Sequence, residues 1–455
     1  MSDISIIILA AGTGAEMKSE KAKVVHEVCG KPMVSWVYSQ AEKLNADRIV
    51  TVIGSKSEQV IEVLGEDKLY AMQQEQLGTG HAVSVAAEHI PADGVALVLC
   101  GDVPLITAKT LSYAIQFHID SRSAATVITA DAHNPTGYGR IIRGTDGRVL
   151  GIVEENEASE EQKKIKEINS GLYCFDAALL RETLSSLKND NAAGEYYLTD
   201  TLSMLFENGY TVSAYKLDDE AELMGINNMV QLSAAEKIMR RRINEKHMLE
   251  GVTIISPENT YIGADVTIGH DSVILPGCII GEGCIIGEGC VIGPNANLKR
   301  CSIGDQCEIN ASTVTNSKVG DKVSMGPYAY VRPGSTIGSN VKVGDFVEVK
   351  NSTVGDGTKI AHLTYVGDSD VGCNVNFGCG TVTVNYDSKN KHRTTIGDGA
   401  FIGCNTNLVA PVTVGAGAYT AAGSTITDDV PEDSLAIARS RQTVKENWRT
   451  EKYGK

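Results

Sequence analysis

Aromatic side chains are scarce in this 455-residue chain, at 5%. A core built mainly on large rings is thereby excluded, and some region must pack with small side chains. No basic excess exists either: 41 Lys and Arg stand against 57 Asp and Glu, a net charge of −16, so nucleic acid is not an expected partner. The 11 cysteines contain no Cys-x-x-Cys pair, which argues against a zinc site and, in a cytosolic chain, against disulfides. No apolar run approaches the roughly 18 residues that a membrane helix needs. The opening MSDISIIILAAGTG has no basic segment before its apolar stretch and reads as a buried strand, not a signal peptide. A cytoplasmic protein without a membrane partner is expected.

Glycine, by contrast, is plentiful at 46 residues, and it is unevenly placed, with 19 in 1–251 and 27 in the shorter stretch 252–455. Length alone suggests two or three domains. Residues 1–227 read as α/β, with apolar strand candidates at Ile4–Ala10, Arg48–Ile53, Val95–Leu99 and Ala125–Ala130 separated by segments of helical period. A mostly parallel sheet follows, in which ligands bind beyond the carboxyl ends of the strands. Two such places stand out: Ala10-Ala11-Gly12-Thr13-Gly14 and Cys100-Gly101-Asp102-Val103-Pro104. Residues 228–250 have helical propensity throughout and form a linker helix, with Arg240-Arg241-Arg242 on a solvated face.

From 251 to 455 the dominant feature is a six-residue period. Aliphatic residues fall at Ile262, Ile268, Ile274, Ile280, Ile286, Ile292 and Leu298, resume from Val319 to Val349, and return from Ile396 to Ile426 with Thr420 in register. Neither a helical nor a strand period produces this pattern; a parallel β-helix does, each hexad forming one flat face of a triangular coil. The aliphatic residue points inward, and the glycine after it is expected to let the corner turn without Cβ strain. Cys278, Cys284 and Cys290 share one hexad position and are expected on successive corners as small inward residues.

The repeat breaks at Val384–Arg393, VNYDSKNKHR, a polar and basic insertion in an acidic protein. Insertions in solenoids are loops on one face, and an anionic ligand suits this one. Just before it lies His362 in Ala361-His362-Leu363-Thr364-Tyr365, which on its own reads equally as a structural histidine or a functional one.

Two ordered sets of residues carry a resemblance. Ala10–Gly14, Lys23, Gly30-Lys31-Pro32-Met33, Gln76-Leu77-Gly78-Thr79-Gly80 and Gly101-Asp102-Val103-Pro104 resemble the sugar-phosphate nucleotidyltransferases, while the second half is similar to the hexapeptide-repeat acyltransferases. In this order they resemble the bacterial bifunctional family that joins the two, through Gly137–Ile141, Glu167–Asn169, Gly194–Tyr197 and Asn227-Asn228 to Ala436–Arg439. The implied fold is a doubly wound, Rossmann-like α/β nucleotidyltransferase domain followed by a left-handed parallel β-helix. The implied activities are acetyl transfer from acetyl-CoA to glucosamine-1-phosphate, then uridylyl transfer from UTP to N-acetylglucosamine-1-phosphate with release of pyrophosphate.

For the first domain the resemblance implies Mg²⁺ held by Asp102 and Asn227. Ala10, Ala11, Gly12, Gly14, Lys23 and Gly101 lie on the nucleotide, with Lys23 catalytic; Gln73, Gly78 and Thr79 read uracil, and Gly139, Glu154 and Asn169 hold the amino sugar. For the second it implies His362 as general base, with Arg332, Lys350, Tyr365, Asn376 and Lys391 on glucosamine-1-phosphate. Acetyl-CoA is met by Cys379, Asn385, Tyr386, Cys404, Ala422 and Arg439. A homotrimer is also implied. One departure stands out: the family pattern Gly-x-Gly-Thr-Arg-Met appears here as Gly12-Thr13-Gly14-Ala15-Glu16-Met17. Glu16 in place of an arginine removes a cation from developing phosphoryl charge, so impaired uridylyl transfer is expected unless Lys18 or Lys21 substitutes, leaving in the extreme an acetyltransferase alone.

Overall fold

The computed structural model describes residues 3–191 and 194–454. These divide into two compact units, 1–239 and 240–455, the boundary falling within the helix Met229–Leu249.

The first unit is built on a sheet with strands in the order Val212–Leu217, Ala125–Asp131, Glu167–Asp176, Val95–Cys100, Ile4–Leu9, Arg48–Ile53 and Leu69–Met72. Its central strands are near-continuous aliphatic runs because helices cover both faces; Ile6, Ile7 and Ile8 are fully buried. Pairing is parallel except at Glu167–Asp176, which runs antiparallel to both neighbours. From Ile4–Leu9 the chain adds strands on one side, at Arg48 and Leu69, before crossing to the other at Val95. The sheet therefore reverses direction between Ile4–Leu9 and Val95–Cys100, where a crevice opens beyond the carboxyl ends.

The second unit is a left-handed parallel β-helix. Its short strands fall into three sheets of 11, 10 and 9 strands among the described residues, each strand pairing in parallel with the third one after it until the last coil, where Tyr419–Thr420 pairs with Leu435–Ala436, the second one after it. One coil thus takes three hexads, and Ile262 stacks on Ile280 and Ile280 on Leu298. The aliphatic residues of all three series are buried, Thr420 included. Gly293 and Gly326, with φ 104° and 99°, turn their corners as expected, but most of the glycines that follow the aliphatic residues do a different job. Gly269 is not in the left-handed region, but a Cβ there would lie 2.6 Å from the Gly287 carbonyl carbon of the next coil. These glycines admit close approach between coils, whereas many corners with positive φ are held by Asn295, Gln306, Lys322 and Tyr328. Cys278, Cys284 and Cys290 are fully buried free thiols; the stacking is between coils, Cys284 Sγ lying 3.7 Å from Cys301 Sγ.

Candidate functional sites

At the reversal point of the sheet, a cavity of about 340 Å³ is lined by Ala11, Gly12, Lys23, Gln73, Gly78, Thr79 and Asp102, together with Gln76 and Glu195. Ala10 and Gly101 sit behind this wall, where Gly101 N–H donates to the Leu9 carbonyl at 2.9 Å. Gly14 has φ +67°, and a Cβ on it would lie 2.6 Å from Lys23 Cβ, so glycine is required for the loop to close over the lysine. Gln73, 3% exposed, donates to the Gly78 carbonyl at 3.1 Å and so fixes its amide at the cavity wall.

Lys23 Nζ lies 2.5 Å from Asp102 Oδ2 and also donates to Asn227 Oδ1. Asn227 is brought there by its neighbour Ile226, whose N–H donates to the Asp102 carbonyl at 3.0 Å. A carboxylate and an amide oxygen thus converge on one cationic nitrogen. Such hard oxygens fit a divalent cation that completes its sphere with phosphate oxygens and water; among the described residues no cluster of three or more His, Cys, Asp or Glu side chains could hold one alone. Lys23 is the one cation among the described residues that line the cavity, and Glu16, Lys18 and Lys21 are exposed outside its lining.

Gly139, Glu154 and Asn169 form a second cluster. Gly139 pairs with Asn169, and a Cβ on Gly139 would lie 3.3 Å from Asn169 Cβ and 3.4 Å from Glu154 Oε2. Asn169 stands where the Glu167–Asp176 strand shifts register, its Oδ1 accepting from Tyr173 Oη at 2.8 Å. Burial pushes the Glu154 carboxyl above its ordinary pKa, with Glu157 and Asp200 adding to the effect and Thr199, donating at 3.2 Å, opposing it.

In the β-helix, His362 Nδ1 lies 2.7 Å from Asp345 Oδ1 of the preceding coil, and this contact holds the Asp345 carboxyl below the usual range. Ile360, Phe377, Ile402 and Thr420 pair in sequence, so two residues further on His362, Cys379, Cys404 and Ala422 occupy one column. That column is tied by Asn405 N–H to the Cys379 carbonyl at 2.7 Å and Gly423 N–H to the Cys404 carbonyl at 2.8 Å, and Arg439 closes it beside Gly423. Asn376 pairs with Lys359 and Phe401 on the same face.

The cations gather on the adjoining face, two of them with an acid. Arg332 Nη1 meets Glu348 at 2.8 Å, and Lys350 Nζ meets Asp368 at 3.0 Å. Burial favours the neutral form of Asp368, but hydrogen bonds from Asn351 at 2.6 Å, from Lys350 and from Asn385 outweigh it and keep the carboxyl below its ordinary pKa. Lys391 lies beside Lys350, whose ammonium lowers its pKa. Asn385 therefore stands with Lys350, Lys391 and Tyr365, whose hydroxyl is 3.5 Å from its amide, and not in the Cys379–Arg439 column. Tyr386 is exposed and donates to the Ser388 carbonyl at 2.7 Å. Asp345, Glu348 and Asp368 were not expected from the sequence; the signal for each is an acid one coil away from a histidine or cation that the sequence singles out.

Residues 5–223 match the nucleotidyl transferase family, and 259–294, 316–351 and 393–428 match the bacterial transferase hexapeptide repeat. Over 449 residues the chain is 55% identical to the bifunctional protein GlmU of Acetivibrio thermocellus, covering 98% of this chain and 97% of that one. The chain belongs to the bifunctional GlmU family. The GlmU protein of Caldanaerobacter subterraneus is 54% identical over 455 residues, covering 100% of this chain and 99% of its relative. The GlmU of Geobacillus sp. strain WCH70 is 55% identical over 443 residues, covering 97% and 96%. The GlmU likeness therefore spans both compact units.

Proposed function

We propose that the chain makes a nucleotide-activated N-acetylamino sugar in two steps, one in each unit. In the β-helix, the amine of glucosamine-1-phosphate attacks the thioester carbonyl of acetyl-CoA while His362 Nε2 accepts the amine proton and CoA leaves as thiol. A base at that nitrogen contributes about 10²–10⁴-fold. Arg332, Lys350 and Lys391 bind the sugar's phosphate, charge-assisted bonds giving orientation as well as affinity. The column from Cys379 through Cys404 and Ala422 to Arg439 carries acetyl-CoA, with Asn385 and Tyr386 at its sugar end. The observation that supports this reading best is the register that puts His362 at the head of that column beside the paired cations.

In the first unit the phosphate of N-acetylglucosamine-1-phosphate attacks the α-phosphorus of UTP and pyrophosphate leaves. Asp102 and Asn227 would hold Mg²⁺, which when bound neutralises charge on the transferring phosphates. Gly12 and Gly14 present backbone amides, Lys23 moves from Asp102 to the phosphates, Gln73, Gly78 and Thr79 contact uracil, and Gly139, Glu154 and Asn169 orient the sugar. With Lys23 the lone cation of the cavity lining, Glu16 favours slow uridylyl transfer. Three copies assemble through outward aliphatic faces such as Ile279 and Ile285, both exposed. No helix among the described residues is long and apolar enough to cross a membrane, and we place the reaction in the cytoplasm, with the acetyl-transfer step supplying the N-acetylglucosamine-1-phosphate that the second step uses.

The test is two assays on the purified chain: CoA release from acetyl-CoA and glucosamine-1-phosphate, and pyrophosphate release from UTP and N-acetylglucosamine-1-phosphate with Mg²⁺. Both products are expected, pyrophosphate the slower, with Glu16→Arg speeding its release. CoA alone, with pyrophosphate restored by Glu16→Arg, identifies an acetyltransferase with a disabled second site. If neither product forms, the reading is refuted.

A further inference from the structure

His362 and Asp345 meet through a local change in the coil. Most strands of the β-helix are two residues long; among its described residues only Lys342–Asp345 and Lys359–His362 reach four. Their pairing runs Lys342 with Lys359, Val343 with Ile360, and then Asp345 with His362. The added pair is the one that carries the carboxylate and the imidazole.

Gly344 makes the extension possible, since a Cβ there would stand 1.8 Å from the Ala361 carbonyl oxygen and 3.0 Å from Ala361 Cα. Both atoms are backbone and cannot yield without parting the coils. After the pair the chain is pinned again: Leu363 N–H donates to the Asp345 carbonyl at 3.0 Å, and Thr364 Oγ1 donates to the His362 carbonyl at 2.7 Å. Leu363 adopts φ 42° to make this turn, a conformation a leucine takes only when its surroundings impose it.

We infer that Asp345 is a positioning residue for acetyl transfer: its carboxylate accepts the Nδ1 proton of His362, fixes the neutral tautomer whose lone pair is on Nε2, and balances the imidazolium formed when Nε2 takes the amine proton. This rests on the reading of His362 as the base. A carboxylate on one ring nitrogen settles which nitrogen is free to react. Proton accounting is complete within the step: the amine loses one proton to Nε2, the Nδ1 proton stays on the imidazole, and Asp345 stays ionised. Both side chains are partly exposed, His362 at 57% and Asp345 at 38%, so water screens the pair and its contribution falls short of that of a buried dyad.

The experiment is a double-mutant cycle on CoA release by the full chain, with ¹⁵N NMR of the histidine ring. Asp345→Ala is expected to lower kcat by roughly ten- to a hundredfold, with KM for glucosamine-1-phosphate within about twofold of wild type. Asp345→Asn, which keeps shape without charge, should fall between. In a His362→Asn background Asp345→Ala should change nothing further, because both act through one ring. The ¹⁵N shifts should show protonated Nδ1 in the wild type and mixed tautomers in Asp345→Ala. A wild-type rate in Asp345→Ala while His362→Asn is inactive overturns the positioning role alone; an equal further loss in the His362→Asn background also overturns it. A wild-type rate in His362→Asn overturns the reading of the base, and this inference with it.

Discussion

Replacing Asp368 by alanine should destabilise the β-helix unit by about 3 kcal/mol. The Asp368 side chain is 5% exposed and takes hydrogen bonds from Lys350 Nζ at 3.0 Å, Asn351 Nδ2 at 2.6 Å and Asn385 Nδ2. Deleting one partner of a buried ion pair costs roughly 3–5 kcal/mol, because the other charge is left uncompensated. Lys350 is 17% exposed and recovers some hydration, which places the effect near the lower limit. For a unit of this size, about 2–4 °C per kcal/mol gives a fall of roughly 6–12 °C in its melting temperature, read by calorimetry at neutral pH and fixed protein concentration. Asp368→Asn keeps an acceptor and loses the charge, so it should lie in between. Because the folded carboxyl is held below its unfolded value, its contribution is full above the unfolded pKa near 4 and is lost as pH falls through the folded pKa. Wild type and Asp368→Asn should therefore converge on acidification. A drop under about 2 °C in Asp368→Ala, or a gap that widens in acid, would refute the claim that Asp368 is the counter-charge of this cluster.

Gly344→Ala should abolish CoA release, by at least about a hundredfold, because the methyl group meets Ala361 backbone at 1.8 Å and parts the His362 coil from the Asp345 coil; pyrophosphate release from the other unit, measured alongside, should persist. Lys23→Met removes the ammonium that bridges Asp102 and Asn227, so Mn²⁺ binding without nucleotide, followed by electron paramagnetic resonance, should tighten while pyrophosphate release falls by roughly a hundredfold or more. Glu154→Gln should raise the melting temperature of the first unit at pH 7. A carboxyl whose folded pKa is raised by burial weakens folding as pH climbs past its unfolded value, and the gain should vanish below about pH 4.

What the sequence made legible follows from which contacts repeat. The hexad period exposes the β-helix because each coil needs the same inward aliphatic residue, and the strand ends before Gly12 and Asp102 are legible because a parallel sheet binds ligands there. Glu167–Asp176 was not legible as a strand: Asn169-Ser170-Gly171 interrupts its apolar pattern, and that interruption is the register shift next to which Asn169 pairs with Gly139. The ionic partners were hidden for another reason. Asp345 precedes His362 by 17 residues, Arg332 precedes Glu348 by 16 and Lys350 precedes Asp368 by 18. Coils of variable length break any fixed spacing, so contacts between coils cannot be counted off along the chain. The basic insertion looked like an unopposed anion site, yet its Arg393 already meets Asp370 at 2.5 Å, and outside it Arg332 and Lys350 meet Glu348 and Asp368, while Lys391 lies beside Lys350. An anion binding at the proposed site would meet Arg332 and Lys350 already held in place by carboxylates, so its binding would cost less side-chain entropy than ordering two free chains.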